Sequence, residues 1–252
     1  MGCPLDKGAD MMDKLKLGVF ELTSCGGCAL NILFLYERLF DILEFYDIAE
    51  FHMATSQRGR EKLDVALVTG SVSTQRDLEV VKDARNRAEY LIALGTCATH
   101  GGVQGSIEGS VKEGLRKIYG DMKGPSKVLE PRAVVEHVPV DFAIPGCPYD
   151  KDEVFQVLMD IARGVEPVTK DYPVCLECKL NEYECVLLKR GVPCLGPVTL
   201  GGCNAKCPSI GLGCIGCRGL VPDPNIPGLV EVLKNIIPEE DIVRKLKTFV
   251  RW

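Results

Sequence analysis

Lys16-Leu-Gly-Val-Phe-Glu-Leu22 runs directly into Thr23-Ser-Cys-Gly-Gly-Cys28 and then into an apolar stretch over 29–45. The first segment is a short apolar run ended by turn residues, the mark of a buried strand. The last reads as one helix, apolar on nearly every side, so it is expected to be buried. Strand, loop and helix recur in that order downstream. Residues 48–54, 65–69, 90–96 and 140–144 read as further strands. Helices are expected at 74–88, with Ser73 or Thr74 as N-cap, at 111–119 and at 151–163. A glycine-rich loop covers 101–109, and 120–138 reads as irregular.

Strands alternating with helices predict a parallel, doubly wound α/β sheet of flavodoxin-like order over 15–165. Such sheets bind ligands outside the carboxyl ends of their strands. Cys25 and Cys28 follow the first expected strand, Cys97 the fourth and Cys147 the fifth. Four thiols spread over some 120 residues of sequence are therefore expected at one sheet edge. Four thiolates suit an iron–sulfur cluster or zinc. Gly26 and Gly27 let the loop backbone approach a metal. A flavin site would carry hydroxyls and backbone donors in this loop instead of thiols.

The chain has 13 cysteines in 252 residues, too long a chain to need disulfide staples. Eight of them, Cys175, Cys178, Cys185, Cys194, Cys203, Cys207, Cys214 and Cys217, fall within 43 residues. Setting aside Cys3 in the N-terminal tail leaves twelve, three sets of four. A boundary is expected at 164–173, with a cysteine-rich, ferredoxin-like domain over 174–252 that ends in a helical segment. Residues 174–220 bury little apolar surface by themselves, so something covalent or metallic must hold them. Spacing allows a sequential split of the eight, Cys175 to Cys194 and Cys203 to Cys217, or an interleaved one. It also allows a pair of zinc ribbons.

Other features carry less. The net charge of −5 argues against nucleic acid, and no run of 18 apolar residues is present to span a membrane. Gly211-Leu-Gly-Cys-Ile-Gly216 matches a dinucleotide fingerprint but follows no strand, so its glycines are read as wrapping a cluster. His100 reads as a hydrogen-bonded loop residue, and His52 and His137 have no evident partners. Glu239-Glu240 reads as a helix N-terminus. No catalytic residues are assigned. Three redox sites without a substrate-transforming centre read as an electron conduit.

Thr23-Ser-Cys-Gly-Gly-Cys28, Leu94-Gly-Thr-Cys-Ala98 and Pro145-Gly-Cys-Pro148 resemble the proximal-cluster signature of [NiFe]-hydrogenase small subunits. The 20 kDa subunit of respiratory complex I shares the latter two elements, but its first two cysteines are adjacent and it lacks the later eight. Further along come Pro173-Val-Cys-Leu-Glu-Cys-Lys179 and Pro193-Cys-Leu-Gly-Pro-Val-Thr199. Gly202-Cys-Asn-Ala-Lys-Cys-Pro208 and Gly213-Cys-Ile-Gly-Cys-Arg-Gly219 complete the string. It is similar to that of the small (delta) subunits of cytosolic, NADP-linked sulfhydrogenases. The gamma subunits of F420-reducing and F420-nonreducing hydrogenases carry similar strings. The resemblance runs from about Lys16 to the end and weakens over 120–138.

The resemblance implies an electron-transfer subunit holding three [4Fe-4S] clusters. Cys25, Cys28, Cys97 and Cys147 would hold the proximal one. Cys175, Cys178, Cys185 and Cys194 would hold the distal one, with Cys175 where membrane-type relatives place a histidine. Cys203, Cys207, Cys214 and Cys217 would hold the medial one, Cys207 supplying a fourth ligand where relatives often carry proline. It implies a cytoplasmic hetero-oligomer. Its partners would be a large (alpha) subunit with the Ni-Fe site, a gamma subunit binding FAD and NADP, and an iron–sulfur beta subunit. The rival readings are a complex-I-like subunit and a zinc-stabilised interaction module.

Overall fold

The computed structural model describes residues 14–56, 59–107, 109–120 and 127–249, so Cys3 and residues 121–126 of the expected irregular stretch lie outside the described residues. The first half runs β1 (Leu15–Glu21), α1 (Gly27–Leu33), α2 (Glu37–Phe45), β2 (Tyr46–Phe51), β3 (Leu63–Thr69), β4 (Val72–Thr74), α3 (Gln75–Arg87) and β5 (Ala88–Leu94). Then come α4 (Thr96–His100), α5 (Gly102–Gly105), α6 (Val111–Tyr119), β6 (Val128–Arg132), a 3-10 turn (Val134–Glu136), β7 (Phe142–Ile144) and α7 (Lys151–Ala162). The remainder holds α8 (Val174–Leu180), α9 (Val186–Arg190), α10 (Lys206–Ser209), α11 (Ile226–Leu233) and α12 (Glu239–Lys247).

Five strands form one parallel sheet in the order β2-β1-β3-β5-β7, the flavodoxin-like order expected. Side chains alternate across it. Leu17, Val19, Val65, Leu67, Ile92 and Leu94 enter one core, closed by α1, α2 and α7. Phe20, Ala66, Val68, Leu91 and Ala93 enter another, closed by α3. A parallel sheet covered on both faces needs continuous apolar strands, which is why period-2 alternation with polar residues is missing here. Thr74 caps α3: its hydroxyl accepts from Asp77 N, and the Asp77 carboxylate accepts from Thr74 N at 2.9 Å.

Several expectations need correction. The helix over 29–45 is two helices, broken at Tyr36, which adopts φ +54. The break turns Leu35 into the core, while Lys151 Nζ donates to the Phe34 carbonyl at 2.7 Å. Phe34 and Tyr36 stack, with ring centroids 5.8 Å apart. Nor is this segment fully buried: Tyr36 is 67% exposed and Phe40 72%. The second strand begins at Tyr46, whose hydroxyl donates to Leu158 O at 2.7 Å, and ends at Phe51. The described part of 120–138 is ordered, since β6 pairs antiparallel with β4 and the 3-10 turn follows. Within the glycine-rich loop, α5 forms a single turn.

The cysteine-rich segment builds a third core from Val174, Val186, Leu187, Leu195 and Val198. Leu229 and Leu233 of α11 and Ile242 of α12 complete it. The C-terminal helices thus supply the apolar surface that residues 174–220 lack.

Candidate metal centres

Cys25 lies in the loop after β1, Cys28 in the first turn of α1, Cys97 in the first turn of α4 just past β5, and Cys147 just past β7. Because β1, β5 and β7 are parallel, all four thiols reach the same sheet edge. They are close enough to oppose each other's ionisation. Burial pushes the Cys28 thiol up to about 12, aided by Cys97, Cys147 and Cys25, against a hydrogen bond from the Tyr149 backbone N–H. Burial also raises Cys97, with Cys25 acting in the same sense, and raises Cys147, with Cys97, Cys217 and Cys25 contributing. The backbone is cut back to make room. A Cβ on Gly95 would lie 2.4 Å from Cys28 Sγ, and one on Gly102 2.7 Å from Cys97 Sγ; both glycines have positive φ. Tyr149, from the turn after Cys147, donates its hydroxyl to the Cys28 carbonyl at 3.0 Å.

The remaining eight thiols lie close to one another in the cysteine-rich segment. Cys175 is pushed up to about 12 by burial, then by Cys194, Cys178 and Cys185. A point one Cβ above Gly196 lies 3.3 Å from Cys194 Sγ and 3.5 Å from Cys175 Sγ. Cys194 Sγ accepts backbone N–H bonds from Gly196 at 3.4 Å and Cys214 at 3.2 Å. Cys217 is felt by Cys203, Cys207 and Cys214, of which Cys214 is pushed up to about 12 chiefly by burial. Cys147 of the first group senses Cys217. Cys178 senses Cys203, while Cys207 and Cys214 sense Cys194. Cys194 thus stands beside both Cys175 and Cys214.

This donor set suits a metal–sulfur core. Twelve free cysteines are described; Lys179 and Arg218 offset only part of the rise at Cys175 and Cys203, where burial dominates. Such thiols ionise together only when a cationic core compensates them. Among the described residues no three His, Cys, Asp or Glu side chains converge closely enough to grip one ion. A single zinc needs its sulfurs about 2.3 Å from one point. A multi-iron core spreads four thiolates over separate corners. Backbone N–H groups aimed at Cys28, Cys194, Cys203 and Cys214 supply the hydrogen bonds that tune such cores.

Several residues at the site carried no sequence signal. Arg218 is 1% exposed. Its Nε donates to Gly201 O at 2.7 Å and its Nη1 to Pro145 O at 2.6 Å. It also forms a bidentate pair with Glu153 at 2.8 and 3.0 Å. It thus ties the loop carrying Cys217 to the end of β7 and the start of α7. Thr96 donates to the Cys217 carbonyl and accepts from Gly146 N at 2.9 Å, a second tie across the same joint. Lys206 pairs with Asp150 at 2.6 Å.

His100 ends α4, with Nδ1 2.7 Å from Thr99 Oγ1. Burial and then the Arg218 charge hold it below the usual imidazole range. His52 does have a partner, Glu50 at 3.1 Å, whereas His137 Nε2 is buried without one among the described residues. No strand precedes Gly211. A Cβ on Gly213 would lie 1.9 Å from Pro193 O, so that glycine lets two stretches of the cysteine-rich backbone touch.

Residues 25–161, which carry the first group of thiols, match the family model described as NADH ubiquinone oxidoreductase, 20 Kd subunit. The chain belongs to that family. The matched part of this 20 kDa subunit family member includes Cys25, Cys28, Cys97 and Cys147 but none of the eight cysteines from Cys175 onward. Relatives extend the likeness over those as well. The chain is 75% identical over 238 residues to sulfhydrogenase 2 subunit delta of Pyrococcus furiosus, covering 94% of this chain and 100% of that one. It is 31% identical over 235 residues to a vhu subunit of the F420-non-reducing hydrogenase of Methanocaldococcus jannaschii, covering 81% and 82%. Its fold is similar to that of the actinobacterial-type NiFe-hydrogenase from Ralstonia eutropha H16. The TM-score is 0.60 at 18% identity, over 96% of this chain and 91% of that one.

Proposed function

We propose that this chain is the electron-transfer small subunit of a cytosolic [NiFe] hydrogenase of the sulfhydrogenase type. The reading is carried by twelve free cysteines, four of them brought to one sheet edge, in a chain 75% identical to a sulfhydrogenase delta subunit. Cys25, Cys28, Cys97 and Cys147 hold a proximal [4Fe-4S] cluster. Cys203, Cys207, Cys214 and Cys217 hold a medial one, and Cys175, Cys178, Cys185 and Cys194 a distal one. When bound, these clusters supply one-electron carriers between the Ni-Fe site of a large subunit and a partner binding FAD and NADP. The protein's own residues fix the thiols, exclude bulk water and hold the joint between the groups through Arg218 and Thr96.

Residues 15–165 and 174–252 act as two cluster-bearing domains. Cys25 and Cys147 are exposed, and Leu30, Met53 and Val103 around that edge are 41%, 40% and 52% exposed. The large subunit covers this surface. Among the described residues no helix is long and apolar enough to cross a membrane. A second reading, the gamma subunit of an F420-linked hydrogenase, is favoured by relatives 30–31% identical; it changes the terminal partner and leaves the clusters in place.

Hydrogen tests the proposal. Under H2, the visible iron–sulfur absorption of the isolated chain stays unchanged. In complex with its large subunit it bleaches. No bleaching in an active complex overturns the reading.

A further inference from the structure

Glu177 lies on α8 between Cys175 and Cys178, yet its side chain turns away from them to the loop that carries Cys203. It is 6% exposed. Ala205 N donates to Oε2 at 2.9 Å, and Gly202 N donates to Oε1 at 2.5 Å. Tyr172 donates its hydroxyl to Oε1 at 3.5 Å, and Cys203 Sγ stands 3.9 Å from Oε2. The two backbone N–H groups and the Tyr172 hydroxyl donate, so both carboxylate oxygens act as acceptors. No ion pair neutralises it among the described residues, and Arg218 is engaged by Glu153. A buried carboxylate is tolerable only where hydrogen bonds satisfy it, as these three do.

The loop it grips is strained. Asn204 and Ala205 both have positive φ, +55 and +48, a region an alanine rarely enters. The turn brings two N–H groups of the loop, Gly202 N and Ala205 N, onto one anion. Here the anion is the protein's own Glu177. A second tie runs from Asn181 Nδ2 at the end of α8 to Asn204 Oδ1 at 2.9 Å. The Glu177 charge is felt by Cys178 in one thiol group and by Cys203 in the other.

We propose that Glu177 is a positioning residue shared by the two C-terminal cysteine groups, and that its fixed negative charge lowers the reduction potentials of both clusters they hold. The proposal rests on those groups being cluster ligands, as argued above. The sign follows from electrostatics. Reduction adds an electron to each cluster, and a nearby anion disfavours that added charge.

The test is Glu177→Gln in the assembled complex, with iron content first and an EPR-monitored redox titration second. With iron equal to wild type, the reduced-to-oxidised ratio at fixed poise rises about threefold to tenfold at the medial and distal clusters. Tenfold corresponds to about 59 mV for one electron. The proximal cluster does not move. Unmoved potentials at full iron content overturn the proposal and leave the cluster reading intact. Absence of iron in the wild type removes the cluster reading itself. If the amide variant loses iron, Glu177→Asp decides. Iron retained with wild-type potentials supports the role of the charge, and equal loss of iron overturns it.

Discussion

Arg218→Met removes a guanidinium that makes four hydrogen bonds in a 1% exposed position. Methionine keeps much of the volume, so the loss is one of charge and donors more than of packing. It strands the Glu153 carboxylate, whose side chain is 10% exposed, with Lys170 at 3.2 Å as its remaining cation. It also leaves the Pro145 and Gly201 carbonyls without this donor. Removing one member of a buried pair costs about 3–5 kcal/mol, and Lys170 holds the expected value at the lower end. The assay is guanidinium unfolding of the cluster-loaded chain, followed by circular dichroism, with a lower midpoint at unchanged slope expected. Adding Glu153→Gln removes the stranded charge, so the double variant should recover about 1–2 kcal/mol relative to additivity. A loss under about 1 kcal/mol, or strict additivity, would refute the view that this pair welds the joint between the first and third thiol groups.

Other outcomes follow from the same geometry. Gly95→Ala drives a Cβ to 2.4 Å from Cys28 Sγ at a φ of +85, so metal analysis should find about four irons fewer per chain, and retention of all iron contradicts the cradle. Val103→Asp places a charge on a 52% exposed apolar position beside Gly102 and should weaken binding of the large subunit tenfold or more, about 1.4 kcal/mol, in a titration that leaves iron unchanged. In the chain stripped of metal, burial holds Cys28, Cys175 and Cys214 near 12, above the unfolded value of about 8.5. Their stabilising effect is complete below that unfolded value and is lost as pH rises toward 12. The denaturant midpoint of the stripped chain should therefore fall between pH 8 and 10; a rise would contradict the assignment.

The sheet order is legible because Leu17 to Leu22, Val65 to Val68 and Leu91 to Leu94 are nearly unbroken apolar runs, which only a strand covered on both faces tolerates. Placing Cys25, Cys28, Cys97 and Cys147 at strand ends then needs only the parallel direction. The break at Tyr36 is not legible. No proline or glycine marks it, and the contact that stabilises it comes from Lys151, far along the chain. The β4–β6 pair leaves little trace in the sequence because β4 is three residues long and β6 contains Pro131. Spacing does not divide the last eight cysteines, since proximity there depends on how the chain folds back between Cys194 and Cys214. Arg218 and Glu177 look like surface charges in the sequence. Their burial depends on Glu153 and on the 202–205 backbone, which periodicity does not reveal.

Iron, sulfide and zinc in protein purified without oxygen, with an EPR spectrum after dithionite reduction, test the central claim most directly. Three clusters in contact predict about twelve irons, about twelve sulfides and no stoichiometric zinc, with reduced-cluster signals broadened by mutual interaction. About two zincs with at most four irons would contradict the account, leaving one redox site at the sheet edge and a zinc-held C-terminal segment.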